Sequence, residues 1–188
     1  MKILVLGGTG RTGRHIITEA LDRGHTVHAI VRNEKKVPVD AQLKIFKGNP
    51  DDVILLEAAL KDCDAVVSAL NISRTSDFPW APLRTPTDLI SRVIENVIRL
   101  SEKNGLKRIV VTSAWGVGDS KKELPFFLKW LFYHTNLKYA YKEHENQERL
   151  LQHSAMIWTS VRPVGLTNGN RKTRAKVSFN GKPFPGMT

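Results

Sequence analysis

Residues Lys2–Gly13, KILVLGGTGRTG, decide the fold that this sequence predicts. The four apolar residues Ile3–Leu6 predict a strand buried on both faces, as in a parallel sheet covered by helices. Glycines then recur at every third position, and residues Arg14–Arg23 predict a helix. A second apolar run, Thr26–Val31, completes a βαβ unit.

The GxxGxxG spacing in this context is typical of a dinucleotide-binding loop. One glycine permits the tight turn, one lets the backbone approach a pyrophosphate, and one lets the helix pack closely on the strand. The free N–H groups and positive dipole end of the helix suit a phosphate. A glycine turn that binds nothing is the competing interpretation. We therefore expect the pyrophosphate to contact Gly7, Thr9, Gly10, Arg11, Thr12 and Gly13.

Two stretches resemble a known family. Gly7–Gly13 resembles the GGTGxTG fingerprint of the atypical or extended short-chain dehydrogenases/reductases. Leu150–Gly169, LLQHSAMIWTSVRPVGLTNG, resembles a passage of the small reductases that include NAD(P)H-binding flavin reductases and the biliverdin-IXβ reductase group. The resemblance implies one NAD(P)-binding domain over residues 1–188, a Rossmann-like, doubly wound parallel α/β sheet with helices on both faces. It also implies that Pro163 lines the nicotinamide side. The strand order that we expect is 3-2-1-4-5-6.

The end of the second strand predicts which cofactor is preferred. An acidic residue there would bind the ribose 2′-hydroxyl, whereas an arginine would pair with a 2′-phosphate. The strand ends in Arg32-Asn33, the first acid is Glu34, and Arg11 adds a charge in the glycine loop. These residues favour NADP(H) over NAD(H). The alternative is that Arg32 is a solvated strand-end charge.

The remaining elements follow from hydrophobic periodicity and capping residues. Further strands are predicted at Leu43–Phe46, Ala65–Leu70, Leu106–Thr112 and Ile157–Arg162, and helices at Asp51 or Asp52 to Leu60, Thr87–Asn104 and Lys138–His153. We expect Ala69 and Leu70 to approach the ribose, unless they only belong to a core strand. The family commonly has an acid near the adenine at a position where this chain has Asn49.

Ser113, after the fifth strand, is the first catalytic candidate. In the superfamily a serine there faces the nicotinamide, although a turn serine capping the local backbone is a competing interpretation. The family's Tyr-x3-Lys pair, which moves a proton, is missing. In register with Ser154 and Trp158, the tyrosine position falls on Ala140 and the lysine position on His144. In the biliverdin-IXβ reductase group a histidine occupies this position, so the resemblance implies that His144, the second candidate, contacts the ligand; a helix-surface histidine is the alternative.

The missing pair favours acceptors that take a hydride with little proton help from the enzyme. Flavins and quinones fit, because solvent protonates their reduced forms; a flavin would then be a substrate rather than a bound cofactor. The sequence therefore predicts an NADPH-dependent reductase of the flavin-reductase type. The alternative is a non-catalytic, NADP-sensing regulator that resembles the NmrA-like proteins.

Two aromatic segments have no role fixed by their sequence. The loop 72–86 contains Trp80, which either stacks on a planar ligand or covers the core. Residues Lys121–Asn136 are rich in aromatic residues and too short to span a bilayer. This segment could cover the nicotinamide pocket, meet a second subunit or pack as a core helix, and the core helix is the favoured interpretation.

Composition restricts the class of protein. The formal net charge is +11 and the isoelectric point about 10, yet the basic residues are scattered and no zinc-ligand spacing accompanies them. We therefore expect a small-molecule acceptor rather than nucleic acid, a membrane or a metal as partner. A single cysteine, Cys63, fits a reducing, cytoplasmic compartment. Related chains continue into a further helix and strand that this sequence is expected to lack.

Overall fold

The structure, a computed structural model, describes residues 1–164, 166 and 177–179. Six strands form one sheet in the order β3-β2-β1-β4-β5-β6, and every neighbouring pair is parallel. The predicted strand order is confirmed. The strands are β1 (Lys2–Leu6), β2 (Thr26–Val31), β3 (Leu43–Lys47), β4 (Ala65–Ser68), β5 (Arg108–Thr112) and β6 (Ile157–Val161).

Helices cover both faces of this sheet, as a doubly wound fold requires. They are α1 (Arg11–Asp22), α2 (Val53–Leu60), α3 (Leu89–Asn104), α4 (Phe126–Tyr133) and α5 (Leu137–Gln152). Helix α1 packs on one face, where Ile17 joins Val5 and Val27 in the smaller buried cluster. Helices α2, α3 and α5 pack on the other face in the larger cluster. Among the described residues, no helix is long and apolar enough to cross a membrane.

The glycine loop changes two predicted boundaries. Helix α1 begins at Arg11 rather than Arg14, because the Gly10 carbonyl already accepts the N–H of Arg14. Strand β4 ends at Ser68 rather than Leu70. The N–H of Ala69 still bonds to β1, and the chain then crosses directly over the loop. The loop is therefore built from the ends of β1, β4 and α1 together.

The aromatic segment does not form the core helix that the sequence favoured. It divides into a 3₁₀ helix over Gly118–Glu123 and the short helix α4, and α4 has no buried residue. Its side chains at Phe126, Phe127 and Trp130 are 83%, 66% and 50% exposed. The apolar character of these side chains predicted a core helix. In the structure, α4 is held to the fold by its less exposed side and by its connection to α5.

Helix α3 takes its N-terminal cap from another helix. Asp88 precedes α3 without making a side-chain cap, and the third residue, Ser91, is capped by Glu143 of α5. The Glu143 carboxylate accepts the Ser91 N–H at 2.8 Å and the Ser91 hydroxyl at 3.0 Å, and Asn146 also donates to it at 2.9 Å. Glu143 is 3% exposed. These bonds satisfy a buried carboxylate and fix α5 against α3.

Removing this cap should destabilise the fold. In Glu143→Ala, the Ser91 N–H loses a charged partner in a buried position, so the free energy of unfolding should fall by about 2 kcal/mol. Glu145→Ala, an exposed neighbour on the same helix, is the matched control and should change little. Urea denaturation followed by circular dichroism measures both. Equal stability of the two variants would contradict the capping role of Glu143.

Candidate functional site

The glycine loop owes its shape to contacts that only glycine allows. Gly7 has φ +79°, and a Cβ atom on it would lie 2.7 Å from the carbonyl oxygen of Ala69. A Cβ atom on Gly13 would overlap the Gly7 carbonyl. Strand β1, the end of β4 and the start of α1 therefore touch backbone to backbone. This is the close approach that the spacing predicted.

The N-terminus of α1 is left open by its own side chains. Gly10 is the N-cap and makes no side-chain cap hydrogen bond, and the first turn contains no acidic residue. The first backbone N–H groups of a helix have no partner inside the helix, and the helix dipole favours negative charge there. An uncapped terminus behind a glycine cradle fits a pyrophosphate, so the residues present fit a dinucleotide.

A cleft of about 260 Å³ opens beside this loop at the carboxyl edge of the sheet. It brings together seven of the predicted cofactor-binding residues: Gly7, Thr9, Gly10, Arg32, Asn49, Ala69 and Leu70. The cleft lining does not include Arg11, Thr12, Gly13, Ser113, Pro163 or His144. Sequence reasoning missed Asn71, Ser73, Thr85 and Pro86, which come from the loop after β4. Their position after a switch-point strand was the available signal.

Among the residues that the structure describes, Arg32 is the one basic side chain that lines the cleft. Arg32 is exposed at the end of β2 and makes no ion pair with any described residue. Asp51 is the one acidic residue of the described lining, and Arg92 pairs with it at 3.3 Å. An anionic ligand group near the end of β2 would therefore meet a positive charge.

Arg11 does not line the cleft and instead binds an acidic side chain of the loop after β4. Its guanidinium donates two hydrogen bonds to the Asp77 carboxylate, at 2.9 and 3.2 Å, and both side chains are largely exposed. This bidentate pair joins the first turn of α1 to the loop after β4. The predicted contact between Arg11 and a cofactor phosphate would have to compete with this pair.

Ser113 lies at the opposite end of the carboxyl edge. Its N–H donates to the Val161 carbonyl, and the Trp115 N–H donates to the Pro163 carbonyl, so Ser113 and Pro163 are held side by side. Ser113 is buried, and its Oγ makes no hydrogen bond of good geometry to a described residue, local backbone included. That Ser113 and Pro163 face the nicotinamide stays a prediction. Of the family-like stretch that follows Pro163, Gly165 and residues 167–169 lie outside the described residues.

His144 is buried rather than placed on the helix surface. It is 5% exposed on α5, and its Nδ1 atom lies 2.9 Å from Nε2 of Gln147. Burial lowers the pKa of His144 to about 4, against the opposing effect of Glu148 and Glu143. The imidazole is therefore neutral around pH 7. A buried neutral histidine donates or accepts a hydrogen bond without carrying charge.

The sequence did not predict a partly buried ion pair close to Ser113. Glu148 of α5 accepts from Arg162 at 2.9 and 2.6 Å and from Ser160 at 2.6 Å. Burial raises the pKa of Glu148, but Arg162, Ser160 and the nearby Ser113 hydroxyl outweigh it and lower the pKa below its ordinary value. Arg162 also binds Asp119, which fixes the loop after β5 to β6. The Arg-Pro dipeptide at 162–163 was the sequence signal for this contact.

Two exposed aromatic side chains lie in the loop that follows β4. Phe78 and Trp80 contact each other with ring centroids 5.3 Å apart, and they are 62% and 47% exposed. Asn136 joins their loop to the start of α5, because its side chain donates to the carbonyls of Trp80 and Ala81. The loop after β4 and the α4 region are thereby held together above the sheet.

A family model described as NAD(P)H-binding matches residues 7–188. The chain belongs to the NAD(P)H-binding family. Its Rossmann-like fold is that of the atypical short-chain dehydrogenases/reductases and NmrA-like proteins, as the resemblance implied. Reductases and dehydrogenases are among the proteins that share this fold.

The photosystem II assembly factor Ycf39 of Synechocystis sp. is 36% identical over 118 residues, which are 60% of this chain and 33% of that protein. Among solved structures, ChuY, an anaerobilin reductase of Escherichia coli O157:H7, matches with TM-score 0.71 and 24% identity over 90% of this chain and 75% of ChuY. A wide-type short-chain dehydrogenase/reductase of Veillonella parvula in complex with NADP matches with TM-score 0.72 and 17% identity, over 92% and 73% of the two chains.

These relatives are longer than this chain. The chain spans between a third and a half of the first curated relatives that it matches. The two solved structures are below 25% identical, and their likeness shows the fold. The reaction and the acceptor therefore have to be argued from this chain's own residues.

Acid should destabilise the protein through His144. The pKa of His144 is about 4 in the folded chain and about 6.5 in the unfolded chain. Its contribution to the free energy of unfolding is therefore complete above pH 6.5 and is lost as the pH falls towards 4. The loss should reach up to about 3 kcal/mol. His28, whose pKa burial also lowers, acts in the same direction.

Urea denaturation of wild type and His144→Gln between pH 7 and 4.5 measures this slope. The variant should lose less stability over that range than the wild type, whereas His15→Gln, an exposed histidine, should behave as wild type. The carboxyl of Glu148 titrates below this range because its pKa is lowered. Parallel slopes for wild type and His144→Gln would contradict a buried neutral imidazole.

Proposed function

We propose that this NAD(P)H-binding protein is an NADPH-dependent reductase that transfers a hydride to a flat, conjugated acceptor of the flavin or quinone type. One observation carries the proposal: the carboxyl edge joins a cleft that Arg32 lines, with no acidic partner among the described residues, to a Ser113 region without a Tyr-Lys pair. When bound, the reduced nicotinamide would supply the hydride. The chain's own residues would bind, orient and shield it.

The preference for NADPH rests on the charges at the end of β2. Arg32 lines the cleft and has no acidic partner among the described residues, and Asp51 is occupied by Arg92. A guanidinium forms paired hydrogen bonds with a phosphate, whereas a ribose hydroxyl offers it no charge. The Veillonella protein, which shares the fold, is described in complex with NADP.

The type of acceptor rests on what surrounds Ser113. Position 140, where a catalytic tyrosine would lie, is a buried alanine, and His144 is neutral, so a strong proton relay is missing. Hydride transfer would then depend on positioning. The exposed rings of Phe78 and Trp80 offer a surface for stacking a planar acceptor. ChuY, which shares the fold, is described as an anaerobilin reductase.

The domain organisation, the partners and the compartment of the protein are also part of the proposal. We expect one domain over residues 1–188 acting on a small molecule in the cytoplasm, without nucleic acid or membrane as partner. Cys63 supports a reducing compartment, because it is the single cysteine of the sequence and forms no internal disulfide.

A screen of NADPH oxidation tests the reductase. Purified protein is mixed with NADPH and, in turn, FMN, FAD, a quinone and a linear tetrapyrrole, and the absorbance of NADPH is followed. We expect steady turnover with at least one acceptor and slower turnover with NADH. Tight NADPH binding without turnover in any mixture would contradict the reductase.

That outcome would favour the second candidate, an NADP-sensing regulator. Its specific support is the 36% identity to a protein described as an assembly factor, together with the missing Tyr-Lys pair. A regulator would keep the Arg32 cleft and its NADP affinity. Failure to bind either NADPH or NADH by calorimetry would contradict both candidates.

Arg32→Glu should separate the two cofactors. Losing the pairing with a 2′-phosphate should cost roughly 1.5–3 kcal/mol, or about a ten- to hundredfold weaker NADPH affinity, while NADH affinity changes little. Isothermal titration calorimetry measures both dissociation constants. Lys35→Glu is the control, since Lys35 is exposed nearby but does not line the cleft. An equal loss for both cofactors would remove Arg32 from the binding of the 2′-phosphate.

A further inference from the structure

Gln147 makes two hydrogen bonds near the end of β5, and the direction of one fixes the direction of the other. Its side chain is fully buried on α5, and its Nε2 atom lies 3.0 Å from the Thr112 carbonyl oxygen and 2.9 Å from Nδ1 of His144. Its Oε1 atom has no partner among the described residues. One nitrogen therefore joins a strand end to the candidate histidine.

The Thr112 carbonyl fixes the orientation of this amide. A carbonyl oxygen only accepts hydrogen bonds, so the NH₂ group of Gln147, and not its oxygen, must face Thr112. The second N–H of the same group is then the one directed at His144. Because an N–H can only donate, Nδ1 of His144 must be the acceptor and carry no proton. In a neutral imidazole the single proton is then on Nε2.

The topology places His144 on the side of the sheet where the cofactor cleft opens. Strands β5 and β6 are parallel neighbours, so α5 between them runs in the opposite direction to β5. Gln147 is level with Thr112, the last residue of β5. His144 comes one turn earlier on α5 and therefore lies about 4.5 Å further towards the carboxyl edge. Its Nε2 has no hydrogen-bond partner among the described residues.

We propose that Gln147 is a positioning residue that holds His144 as its Nε2–H tautomer, so that this N–H donates a hydrogen bond to the acceptor while it receives the hydride. The inference rests on the proposed reductase function. In the step, a hydride leaves C4 of the reduced nicotinamide, which is oxidised, and the acceptor is reduced to an anion. Water supplies the proton that neutralises this anion. His144 keeps its own proton and stabilises the developing negative charge.

Such a site selects a class of acceptor. The atom that gains electron density must be a carbonyl oxygen or ring nitrogen without a hydrogen of its own, because only such an atom accepts the Nε2–H bond. Oxidised flavins, quinones and the lactam or imine groups of tetrapyrroles have these atoms. Saturated alcohols, which must donate a hydroxyl proton to a base, do not fit a histidine whose remaining nitrogen is already occupied by Gln147.

Nitrogen NMR tests the tautomer without any need for activity. In ¹⁵N-labelled wild type at pH 7, we expect His144 to show a protonated Nε2 and an unprotonated Nδ1, with His144→Gln identifying its signals. In Gln147→Met, which cannot donate, the fixed tautomer should be lost. In Gln147→Glu, the carboxylate should draw the proton to Nδ1. A protonated Nδ1 in wild type, or an unchanged tautomer in both variants, would overturn the inference.

Kinetics test what the tautomer does. With the acceptor found in the NADPH screen, Gln147→Met should lower kcat about ten- to a hundredfold, with the KM for NADPH within about twofold of wild type. Gln152→Met, an exposed glutamine on the same helix, is the matched control and should keep wild-type kcat. Circular dichroism checks that both variants fold, and an unchanged kcat in folded Gln147→Met would overturn the role of Gln147.

The two proposals fail in different ways. Loss of NADPH binding in the wild type would overturn the reductase, whereas NADPH binding without turnover by any acceptor would overturn the acceptor contact and favour the sensor. Turnover by the wild type together with normal kcat in Gln147→Met would overturn only the inference on Gln147. The NMR result decides the tautomer in each of these cases.

Discussion

The backbone contact between Gly7, Gly13 and Ala69 is the constraint on which the candidate cofactor site depends. Without a Cβ atom at either glycine, the end of β1 touches both the start of α1 and the chain leaving β4. This contact places the open N-terminus of α1 at the switch point, where the strand order reverses and a crevice forms. The cleft, the charge of Arg32 and the loop after β4 all surround this point.

The other half of the carboxyl edge depends on charge pairing rather than on glycine. The buried Glu148–Arg162 pair ties α5 to β6, and Asp119 extends it to the loop after β5. A Cβ atom on Gly118 would lie 2.9 Å from the Arg162 guanidinium, so this loop also packs closely on the pair. Ser113 is held between these elements. One edge therefore has a glycine loop of closely packed backbone beside a polar cluster of Glu148, Arg162 and Asp119.

The sequence predicted the elements whose signals are local. The strands, their order and the glycine turn follow from periodicity and from the βαβ context, whereas Asn49 was named from the family resemblance. The structure confirms the strand order and places Arg32 and Asn49 in the cleft lining. The contacts that the sequence could not predict join residues that are far apart in the chain. The cap of Ser91 by Glu143 joins residues 52 positions apart, and Gln147 reaches Thr112 across 35. The exposed α4 was read as core because composition alone does not show which side a helix buries.

Calorimetric titration of NADPH into Gly13→Ala and Gly24→Ala tests the central claim most directly. Both variants add one methyl group, but only the methyl on residue 13 overlaps the Gly7 carbonyl, since nothing lies within 4 Å of a Cβ on residue 24. The account predicts that Gly13→Ala loses NADPH affinity by about a hundredfold or more while Gly24→Ala binds as wild type. Wild-type affinity in a folded Gly13→Ala protein would contradict it.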